Sequence, residues 1–471
     1  MKTAISPTRA ENFSQWYQNV IASADLAENS PSAGCMTVKP YGWAIWELMR
    51  DELDRRIKSC GIQNVQFPTL IPVEFLAREA EHVEGFAKES MIVTHSRLKM
   101  IDGKLAADPE SKLTDPYIMR PTSETIIGEA FGRWIESYRD LPMKLNQWCS
   151  VFRWEMRARL FLRTREFFWQ EGHNVFASAD EARADAIKMH KLYTDYITEW
   201  LAIESIVGEK TAEERFAGAD NTYTREHIMQ DGKALQVGTS HYLGSHFSKA
   251  MNIKYLGKDG EQHYAHTTSW GMTSRMIGSV IMHHGDDDGL VLPPTIAPYQ
   301  VVIIPILPEH NEYAHELARE CLNTRVYVDD TDARSSDKMW QWIKRGAPLR
   351  IEVGANELSG NTITFTRRDI GRDSKKTIGR DYFEMQLLAA LDDIQKNLLN
   401  KSHALNREMT HQVADVTELK NKLNNGVIGF FRLKYDLTLT PGFDALAEDY
   451  KLTRRCLDEK DPKFVFVAKA Y

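Results

Sequence analysis

A proline-rich segment, Leu292-Pro-Pro-Thr-Ile-Ala-Pro298, divides this chain into two parts with different sequence patterns. Three prolines in so short a span remove backbone donors and disfavour a helix, which is typical of a linker between domains. Before the segment, amphipathic helical stretches are interspersed with short runs of β-branched and aromatic residues, and this predicts a mixed α+β domain. The length of 471 residues allows two to four domains.

We predict three domains. The first spans residues 1–290 and contains predicted helices at 41–60, 123–138 and 180–205, the last with a capping-box signature at Ser178 and Glu181. The second spans residues 296–400 and is predicted as a small α/β domain, with strands at 300–306, 325–329, 349–353 and 362–366 and helices at 309–323, 337–345 and 382–399. Residues 401–471 are predicted to form a small α+β appendix, with a helical segment at 402–424 and strands at 427–433 and 464–468.

Composition excludes several classes of protein. With 42% hydrophobic and 27% charged residues the chain is neither disordered nor fibrous, and its net charge of −7 argues against wholesale coating of nucleic acid. No apolar run approaches the ~18 residues that a membrane crossing needs, and residues 1–11 lack the apolar core of a signal peptide. We therefore expect a cytoplasmic protein that does not bind membranes. The five cysteines are far apart, without a C-x-x-C pair, which predicts reduced thiols.

The densest chemical signal lies in residues 147–173. Gln147–Glu155 and Phe161–His173 alternate with a period of two, so both read as strands, and the short connection between them predicts an antiparallel hairpin. One face of the second strand would carry Arg165, Phe167, Trp169, Glu171 and His173, and one face of the first would carry Arg153 and Glu155. Guanidinium groups, carboxylates, aromatic planes and an imidazole on one surface are typical of a binding site.

Arginines are in surplus across this hairpin. Between residues 150 and 170 five arginines stand against two glutamates, and guanidinium forks suit phosphate while aromatic faces suit a purine. No G-x-x-x-x-G-K-[ST] loop occurs, so side-chain arginines would have to bind any nucleotide in place of backbone amides. From spacing alone, a solvated cationic hairpin over an aromatic underside is the alternative interpretation.

Several motifs resemble those of known enzymes. Phe152-Arg-Trp-Glu155 with Arg163-Thr-Arg-Glu-Phe167 resembles motif 2 of the class II aminoacyl-tRNA synthetases, Trp270-Gly-Met-Thr-Ser-Arg275 resembles motif 3, and Gln66-Phe-Pro-Thr-Leu70 resembles motif 1. Further segments resemble the prolyl-tRNA synthetases in particular: Arg120-Pro-Thr-Ser-Glu-Thr125, Leu141-Pro-Met-Lys-Leu-Asn-Gln147, Trp169-Gln-Glu-Gly-His173, Gly238-Thr-Ser-His241 and Gly289-Leu-Val-Leu-Pro-Pro294. The resemblance covers nearly the whole chain. It implies a class II antiparallel-sheet catalytic domain and a ligase that activates L-proline and transfers it to tRNA(Pro).

The resemblance assigns roles to residues whose motif letters match. Arg153 and Arg275 become the catalytic residues: Arg153 bridges the α-phosphate and the amino-acid carboxylate, and Arg275 clamps the distal phosphates. The other implied ATP-binding residues are Glu155 at the adenine amino group, Thr164 near adenine, Phe167 stacked on adenine, and Gln236 and Thr273 at ribose and phosphate. Activation puts negative charge on a pentavalent phosphorus, and preoriented arginines with Mg²⁺ stabilise that charge without a proton-transfer residue.

The proline site is implied in the same way. Thr122 and Glu124 match the loop that binds the secondary ammonium of proline, which offers two donors to a carboxylate. Together with Arg153, the resemblance places Trp169, Phe216 and Trp270 on an apolar side of the pocket, and Glu171, His173, Thr239, His241 and Ser269 on a polar side. An apolar pocket discriminates by only ~10–200-fold per methylene, so alanine should be misactivated. Residues 173–269 are too few to hold the editing insertion of the bacterial branch.

The remaining expectations concern the other two domains. Residues 344–380 hold nine basic against four acidic residues; a solvated face is one interpretation, and anticodon binding is the one that the resemblance implies. In the appendix Cys456 stands alone where related enzymes of the shorter type carry a zinc-binding cluster, so we expect no structural zinc. The resemblance also implies that Tyr471 reaches toward the active site and, through motif 1, that the protein is a homodimer.

Three rival functions stay open at this point. A class II synthetase for another amino acid would share Arg153, Glu155 and Arg275, a paralogue could activate an amino acid for an acceptor other than tRNA, and a regulatory relative could be inactive. A metal site at His283-His-Gly-Asp-Asp-Asp288 is a further interpretation, but a similar turn belongs to the packing of motif 3 in the family, and we predict no metal ligands.

Overall fold

A computed structural model describes residues 3–77 and 89–471 of the protein. In its first part the helices are α1 (Arg9–Ser23), α2 (Pro40–Ser59), α3 (Val73–Ala77), α4 (Glu124–Trp134), α5 (Ala179–Trp200), α6 (His246–Ala250) and α7 (Arg275–His284). The strands there are β1 (Ala27–Asn29), β2 (Met36–Val38), β3 (Gln63–Asn64), β4 (Leu70–Pro72), β5 (Met91–His95), β6 (Leu98–Ile101), β7 (Lys104–Ala107), β8 (Lys112–Met119), β9 (Met143–Phe152), β10 (Glu166–Phe176), β11 (Ile206–Glu209), β12 (Asn221–Ile228), β13 (Ala234–Tyr242), β14 (Lys254–Leu256), β15 (Gln262–Tyr264) and β16 (His266–Thr273).

A central sheet organises this part of the chain. In the described residues it has seven strands in the order β11-β12-β13-β16-β10-β9-β3, with antiparallel neighbours except for the parallel pair β3 and β9. The predicted pairing of the two strands in residues 147–173 is confirmed, since Phe167 lies opposite Val151 and Glu171 opposite Gln147. The second strand begins at Glu166 and not, as predicted, at Phe161. Phe161 has a positive φ of 60° and is buried in the core with its neighbours Leu160 and Leu162, which anchor the loop.

Helix α5 covers one face of this sheet. Ser178 caps it by accepting a hydrogen bond from the Glu181 N–H at 3.3 Å, as the sequence predicts. The helix contacts the sheet through polar bonds as well as apolar packing: the Ser240 hydroxyl donates to the Ala186 carbonyl at 2.7 Å, and Thr268 donates to Asp185 at 2.9 Å. A cavity lies over the opposite face of the sheet.

The second part of the chain is an α/β unit, as predicted. Its strands are β17 (Val301–Pro305), β18 (Val326–Val328), β19 (Leu349–Val353), β20 (Thr362–Arg367) and β21 (Lys376–Gly379), and its helices are α8 (Asn311–Glu320), α9 (Ser335–Lys344), α10 (Ala355–Gly360) and α11 (Phe383–Glu408). The five described strands lie in the order β18-β17-β19-β20-β21, parallel around β17 and antiparallel beyond β19. Helix α11 continues to Glu408, past the boundary at residue 400 that we predicted, because Leu398, Ser402 and Asn406 keep one of its sides buried.

The segment between these parts is packed against both of them. Leu290, Leu292 and Ile296 are buried, and the Leu290 N–H donates to the Lys344 carbonyl at 3.0 Å. The linker therefore holds the second domain against the first: Arg368 of the second domain pairs with Asp286 at 2.5 Å.

The C-terminal part forms a small α+β unit. Its strands are β22 (Thr410–Gln412), β23 (Phe430–Lys434), β24 (Leu452–Leu457) and β25 (Phe464–Lys469), in the order β22-β23-β25-β24, and its helices are α12 (Val416–Asn424) and α13 (Pro441–Tyr450). The helix predicted at 402–424 is thus interrupted by β22. The unit has its own apolar core, to which Leu419, Phe431 and Val465 contribute. Such a core can stabilise a fold of this size by burial of apolar surface.

Cys456 belongs to the interface between this unit and the central sheet. It is fully buried and packs with Ile228, Ala234, Phe430 and Phe466. Among the described residues, no group of three or more His, Cys, Asp or Glu side chains is arranged to hold a metal ion. No helix in the described part of the chain combines the length and the apolar character that a membrane crossing requires.

Candidate active site

A cavity of about 250 Å³ lies on the face of the central sheet opposite α5. Strands β10, β13 and β16 supply most of its floor, because antiparallel partners point to the same face. Of the predicted site residues it brings together Thr122, Glu124, Arg153, Phe167, Trp169, Glu171, His173, Phe216, Gln236, Thr239, His241, Ser269, Trp270, Thr273 and Arg275. The predicted residues come from six separate segments of the sequence, so their convergence is a property of the fold.

A second cavity of about 90 Å³ adjoins the first. It shares Arg153, Phe167, Thr273 and Arg275 with the larger cavity and adds the two remaining predicted residues, Glu155 and Thr164. Every residue of the predicted site therefore borders one of two joined cavities.

Trp270 does not fit the role we predicted for its ring. It is the cross-strand partner of Gly172, and both lie on the face of the sheet that α5 covers. The indole is 1% exposed, lies over Gly172 and meets the Tyr193 ring edge-on at 6.1 Å. Trp270 borders the cavity at the level of the sheet, but its ring is part of the core and does not form the apolar wall of a proline pocket.

Arg153 lies at the junction of the two cavities. Its guanidinium stacks over the Phe167 ring at 5.4 Å and the Trp169 ring at 5.7 Å, and its Nε donates to the Pro121 carbonyl at 3.1 Å. Burial lowers the pKa of Arg153, while the charges of Glu124, Glu89 and Glu171 act in the opposite direction. Aromatic planes and a carbonyl thus fix the orientation of the guanidinium before a ligand arrives.

Arg275 begins helix α7 directly after β16. Its side chain donates to the carbonyl oxygens of Leu162 and Gln236, both at 3.1 Å. Burial lowers the pKa of Arg275 to about 10, and repulsion from Arg163 and Arg153 contributes. Arginines that repel one another inside a cavity are stabilised by an anion with several charges, such as a polyphosphate.

Carboxylates collect at the other end of the larger cavity. Glu171 accepts hydrogen bonds from Ser123 at 2.5 Å and Gln147 at 2.6 Å, and Thr122 donates to Glu124. His173 lies 3.0 Å from Glu171; burial opposes its protonation, but the hydrogen bond and charge of Glu171 outweigh burial and raise the pKa of His173. Two carboxylates facing one space suit a small cationic ligand.

An aromatic wall closes this end of the cavity. The Phe216 ring lies 4.6 Å from the His241 ring, and Trp169 is held by a hydrogen bond from its indole to the Cys149 sulfur at 3.3 Å. Burial lowers the pKa of His241 to about 4, so this imidazole is neutral at pH 7. The neighbouring Ser269 hydroxyl is buried and has no hydrogen-bond partner among the described residues, which leaves it available to a ligand.

Sequence reasoning missed one wall of the cavity. It is formed by a loop after β11 and by neighbouring residues of β12 and β13: Lys210, Glu214, Arg215, Thr222, Val237 and Gly238. The charged run at 209–215 is the signal that could have found it. Arg165, which we placed on the site face, instead stacks on Trp154 at 3.8 Å, outside both cavities.

The C-terminus reaches this region, as predicted. The Tyr471 carbonyl accepts a hydrogen bond from Arg163 at 3.0 Å, and the Tyr471 hydroxyl donates to Asp231 at 2.7 Å. Arg163 also borders the second cavity, so the last residue of the chain contacts its arginine-rich loop.

The basic surplus of the second domain is largely neutralised within the fold. Arg367 pairs with Asp369, Arg368 with Asp286, and Arg380 with Glu316 and Glu320. Two further members are also paired, Arg345 with Asp25 and Lys375 with Glu352, while Arg350 is buried and therefore not presented at the surface. Arg372 and Lys376 are exposed and pair with no carboxylate of the described residues, so they remain available at the surface.

Comparisons with known proteins point to one family. The family described as tRNA synthetase class II core domain (G, H, P, S and T) matches residues 108–284, and the family described as anticodon binding domain matches residues 300–389. A proline–tRNA ligase of Paramagnetospirillum magneticum is 50% identical over 422 residues, covering 87% of this chain and 84% of that protein. Proline–tRNA ligases of Protochlamydia amoebophila (46% identity, 98% and 94% covered) and Bdellovibrio bacteriovorus (44%, 100% and 99%) are similar over nearly their whole length.

Proposed function

The chain belongs to the proline–tRNA ligase family of class II synthetases, and from this premise we propose how its two joined cavities divide the substrates. It is a ligase that uses ATP to join proline to tRNA. The observation that carries the assignment of the site is the convergence of arginines at one end of the cavities and carboxylates at the other. A triphosphate fits the first end, and an amino acid with a protonated nitrogen fits the second.

We assign ATP to the arginine-rich end. Phe167 stacks on adenine, with Glu155 at its amino group and Thr164 nearby, while Gln236 and Thr273 bind ribose and phosphate. Arg275 clamps the distal phosphates, supported by its bonds to the Leu162 and Gln236 carbonyls. Arg153, at the junction of the cavities, bridges the α-phosphate and the carboxylate of proline.

We assign proline to the carboxylate-rich end. Glu124, held by Thr122, accepts from the secondary ammonium, and Glu171 with His173 lines the polar side together with Thr239, His241 and Ser269. Phe216 and Trp169 form the apolar walls around the pyrrolidine ring. Trp270 supports this floor from beneath the sheet, since its ring packs against Gly172 and Tyr193.

The mechanism follows from this placement. A carboxylate oxygen of proline attacks the α-phosphorus and pyrophosphate leaves. A hydroxyl of the terminal ribose of tRNA(Pro) then attacks the prolyl carbonyl, the hydroxyl proton passes to the phosphate of AMP, and AMP leaves. Arg153 aligns the two reactants and stabilises the charge on the pentavalent phosphorus, and Arg275 stabilises the departing pyrophosphate. The first step transfers no proton, and the second uses the phosphate of the substrate as the proton acceptor, so neither step requires a proton-transfer residue from the cavity.

We propose that Mg²⁺ enters with ATP. This ion is usually bound by one or two carboxylates and by substrate phosphates, and it does not need a cage built by protein alone. Glu89 borders the second cavity together with Arg153 and Arg275, the two residues that face phosphates in our assignment, and its carboxylate suits the ion. When bound, Mg²⁺ neutralises phosphate charge.

The second and third domains serve tRNA and the active site in this proposal. We place the three domains at residues 1–290, 296–400 and 401–471, and helix α11 crosses the boundary between the second and the third. We assign anticodon binding to the second domain, whose solvent-facing basic residues include Arg372 and Lys376. The compartment that fits these substrates is the cytoplasm; the five cysteines are free thiols, as a reducing compartment keeps them.

Amino-acid-dependent pyrophosphate exchange tests the function. With the unmodified protein, ATP and Mg²⁺, exchange should be strongest with proline and weak but measurable with alanine, because an apolar pocket rejects a smaller ligand only ~10–200-fold per methylene. Charging of bulk tRNA with proline should follow. Strongest exchange with another amino acid would refute the assignment, and exchange without charging would favour a non-tRNA acceptor.

We further propose that the enzyme is a homodimer joined at an apolar groove. The groove is lined by residues of the motif 1 region, β8 and α4, including Phe67, Pro68, Leu70 and Trp134. Leu70 and Trp134 are 43% and 42% exposed, which leaves large apolar side chains in contact with water in the isolated chain. A second copy of the chain would cover them.

Replacing Trp134 by glutamate should convert the dimer to a monomer, since a carboxylate would be buried without a partner. Sedimentation velocity on the unmodified protein and the variant measures the change. Leu322→Glu is the matched control, because Leu322 is 82% exposed in the second domain, away from the groove. A monomeric unmodified protein, or a dimer that Trp134→Glu leaves intact, would contradict this interface.

A further inference from the structure

A buried charge cluster connects the wall of the active-site cavity to the C-terminal domain. The Lys210 ammonium lies 3.1 Å from one oxygen of Glu226, and the Arg455 guanidinium lies 2.7 Å from the other. The exposed fractions of these side chains are 3%, 0% and 9%. Removing three charges from water costs free energy unless each charge is paired in a defined geometry, so we expect these three side chains to be held in fixed positions.

The backbone brings the three residues together across the domain boundary. Lys210 follows β11, Glu226 lies on β12, and Arg455 lies on β24 of the C-terminal sheet. Strands β11 and β24 approach so closely at Gly208 that a Cβ there would lie 1.8 Å from the Leu457 carbonyl oxygen. This contact fixes Arg455 opposite Glu226.

Glu226 is shared by two cations. Its Oε1 accepts hydrogen bonds from the Lys210 ammonium and, at 2.9 Å, from the Thr224 hydroxyl. Its Oε2 accepts two hydrogen bonds from nitrogens of Arg455. Burial would raise the pKa of Glu226, but Lys210 and Arg455 outweigh burial and lower it, so the carboxyl is ionised. Glu214 adds negative charge near Arg455, and of the two cations that bind Glu226 it is Lys210 that borders the cavity.

Lys210 has unused donors at the nucleotide side of the cavity. Of the three hydrogens of an ammonium, the described residues engage one through Glu226. Glu226 is the cross-strand partner of Gln236, and the charges of Glu226 and Arg455 reach Arg275. An ammonium acts on phosphate as a point charge, so the chemistry that fits this position is a phosphate group.

We propose that Lys210 binds a substrate phosphate and that Arg455, acting through Glu226, positions Lys210, which makes the C-terminal domain part of the active site. The inference rests on the proposed function, in which two substrates carry phosphate: ATP and the 3′ end of tRNA. Arg455 itself touches neither substrate and is a positioning residue.

The test compares Lys210→Met, Arg455→Met, their double variant and Arg455→Lys, each corrected by active-site titration for the fraction of competent enzyme. The matched control is Arg432→Met, since Arg432 forms an equally close pair, with Asp458 at 2.6 Å, inside the C-terminal domain. Two readouts are needed: the KM for ATP in pyrophosphate exchange, and the single-turnover rate of transfer from preformed prolyl-adenylate to tRNA.

Lys210→Met should change one readout by about 10- to 100-fold, the effect of one hydrogen bond to a charged group. A higher KM for ATP with unchanged kcat identifies a phosphate of ATP; normal exchange with slow transfer identifies a phosphate of tRNA. Arg455→Met should change the same readout, Arg455→Lys should restore part of it, and the double variant should be no worse than Lys210→Met, because both act through one contact.

The proposal is overturned if both readouts stay at the level of the unmodified protein, or if only the competent fraction falls, since a merely structural pair would do that. Additive losses in the double variant would refute the link between Arg455 and Lys210. The failure of the proposed function itself is separate, because it would appear as missing proline-dependent exchange in the unmodified protein.

Discussion

Replacing Arg153 by alanine is expected to abolish prolyl-adenylate formation. Removal of one preoriented donor to a developing charge typically costs 10²–10³-fold in rate, and Arg153 is assigned to both reactants, so about 10³-fold or more is expected. Pyrophosphate exchange with proline measures the loss. The reason is geometric: the guanidinium is held by Phe167, Trp169 and the Pro121 carbonyl at the junction of the two cavities.

Two comparisons separate this role from a loss of folding. Arg153→Lys keeps the charge but loses the planar fork, so it should recover only a small part of the exchange rate. Arg139→Ala removes an exposed arginine that stacks on Tyr138, away from both cavities, and should leave exchange unchanged. If Arg153→Ala kept its melting temperature and also kept its exchange rate, the arginine-rich end would not be the ATP site.

The sequence allowed the floor of the site to be predicted because alternation along one strand is a local property. Once the segment ending at His173 is read as a strand, Trp169, Glu171 and His173 must share a face, and the structure places them so. The helix cap at Ser178 was predictable for the same reason, since its signal lies within four residues. The roles of these residues in ATP and proline binding remain predictions that the proposed experiments address.

Other features could not be predicted because they depend on pairing between distant segments. The face on which the Trp270 ring lies is decided by its register with Gly172, about a hundred positions earlier in the chain. The basic surplus of residues 344–380 looked like a surface patch, but Arg368 finds its carboxylate in the catalytic domain, at Asp286. The role proposed for Lys210 could not be predicted from the sequence, because it depends on the fold bringing the distant Arg455 to the other oxygen of Glu226.

Replacing Gly172 by alanine is expected to destabilise the catalytic domain and to weaken proline binding. A Cβ at this position would lie 2.0 to 2.2 Å from three carbon atoms of the Trp270 indole. The ring cannot move away easily, because it is 1% exposed and packed against Tyr193. Overpacking of a core typically costs ~1–3 kcal/mol in the free energy of unfolding, and thermal or urea unfolding measures it.

The effect on proline arises because Gly172 lies between Glu171 and His173, which point to the opposite face of the strand and line the proline end of the cavity. A backbone shift that relieves the clash must move both, so the KM for proline should rise more than the KM for ATP. Gly379→Ala is the matched control: Gly379 also lies in a strand, and no described atom is within 4 Å of its added Cβ.

Combining Gly172→Ala with Trp270→Leu removes the indole and should restore part of the stability, because a smaller side chain leaves room for the new methyl group. If the double variant were no more stable than Gly172→Ala alone, the clash with the ring would not be the cause, and the glycine would be required by the backbone of the strand instead.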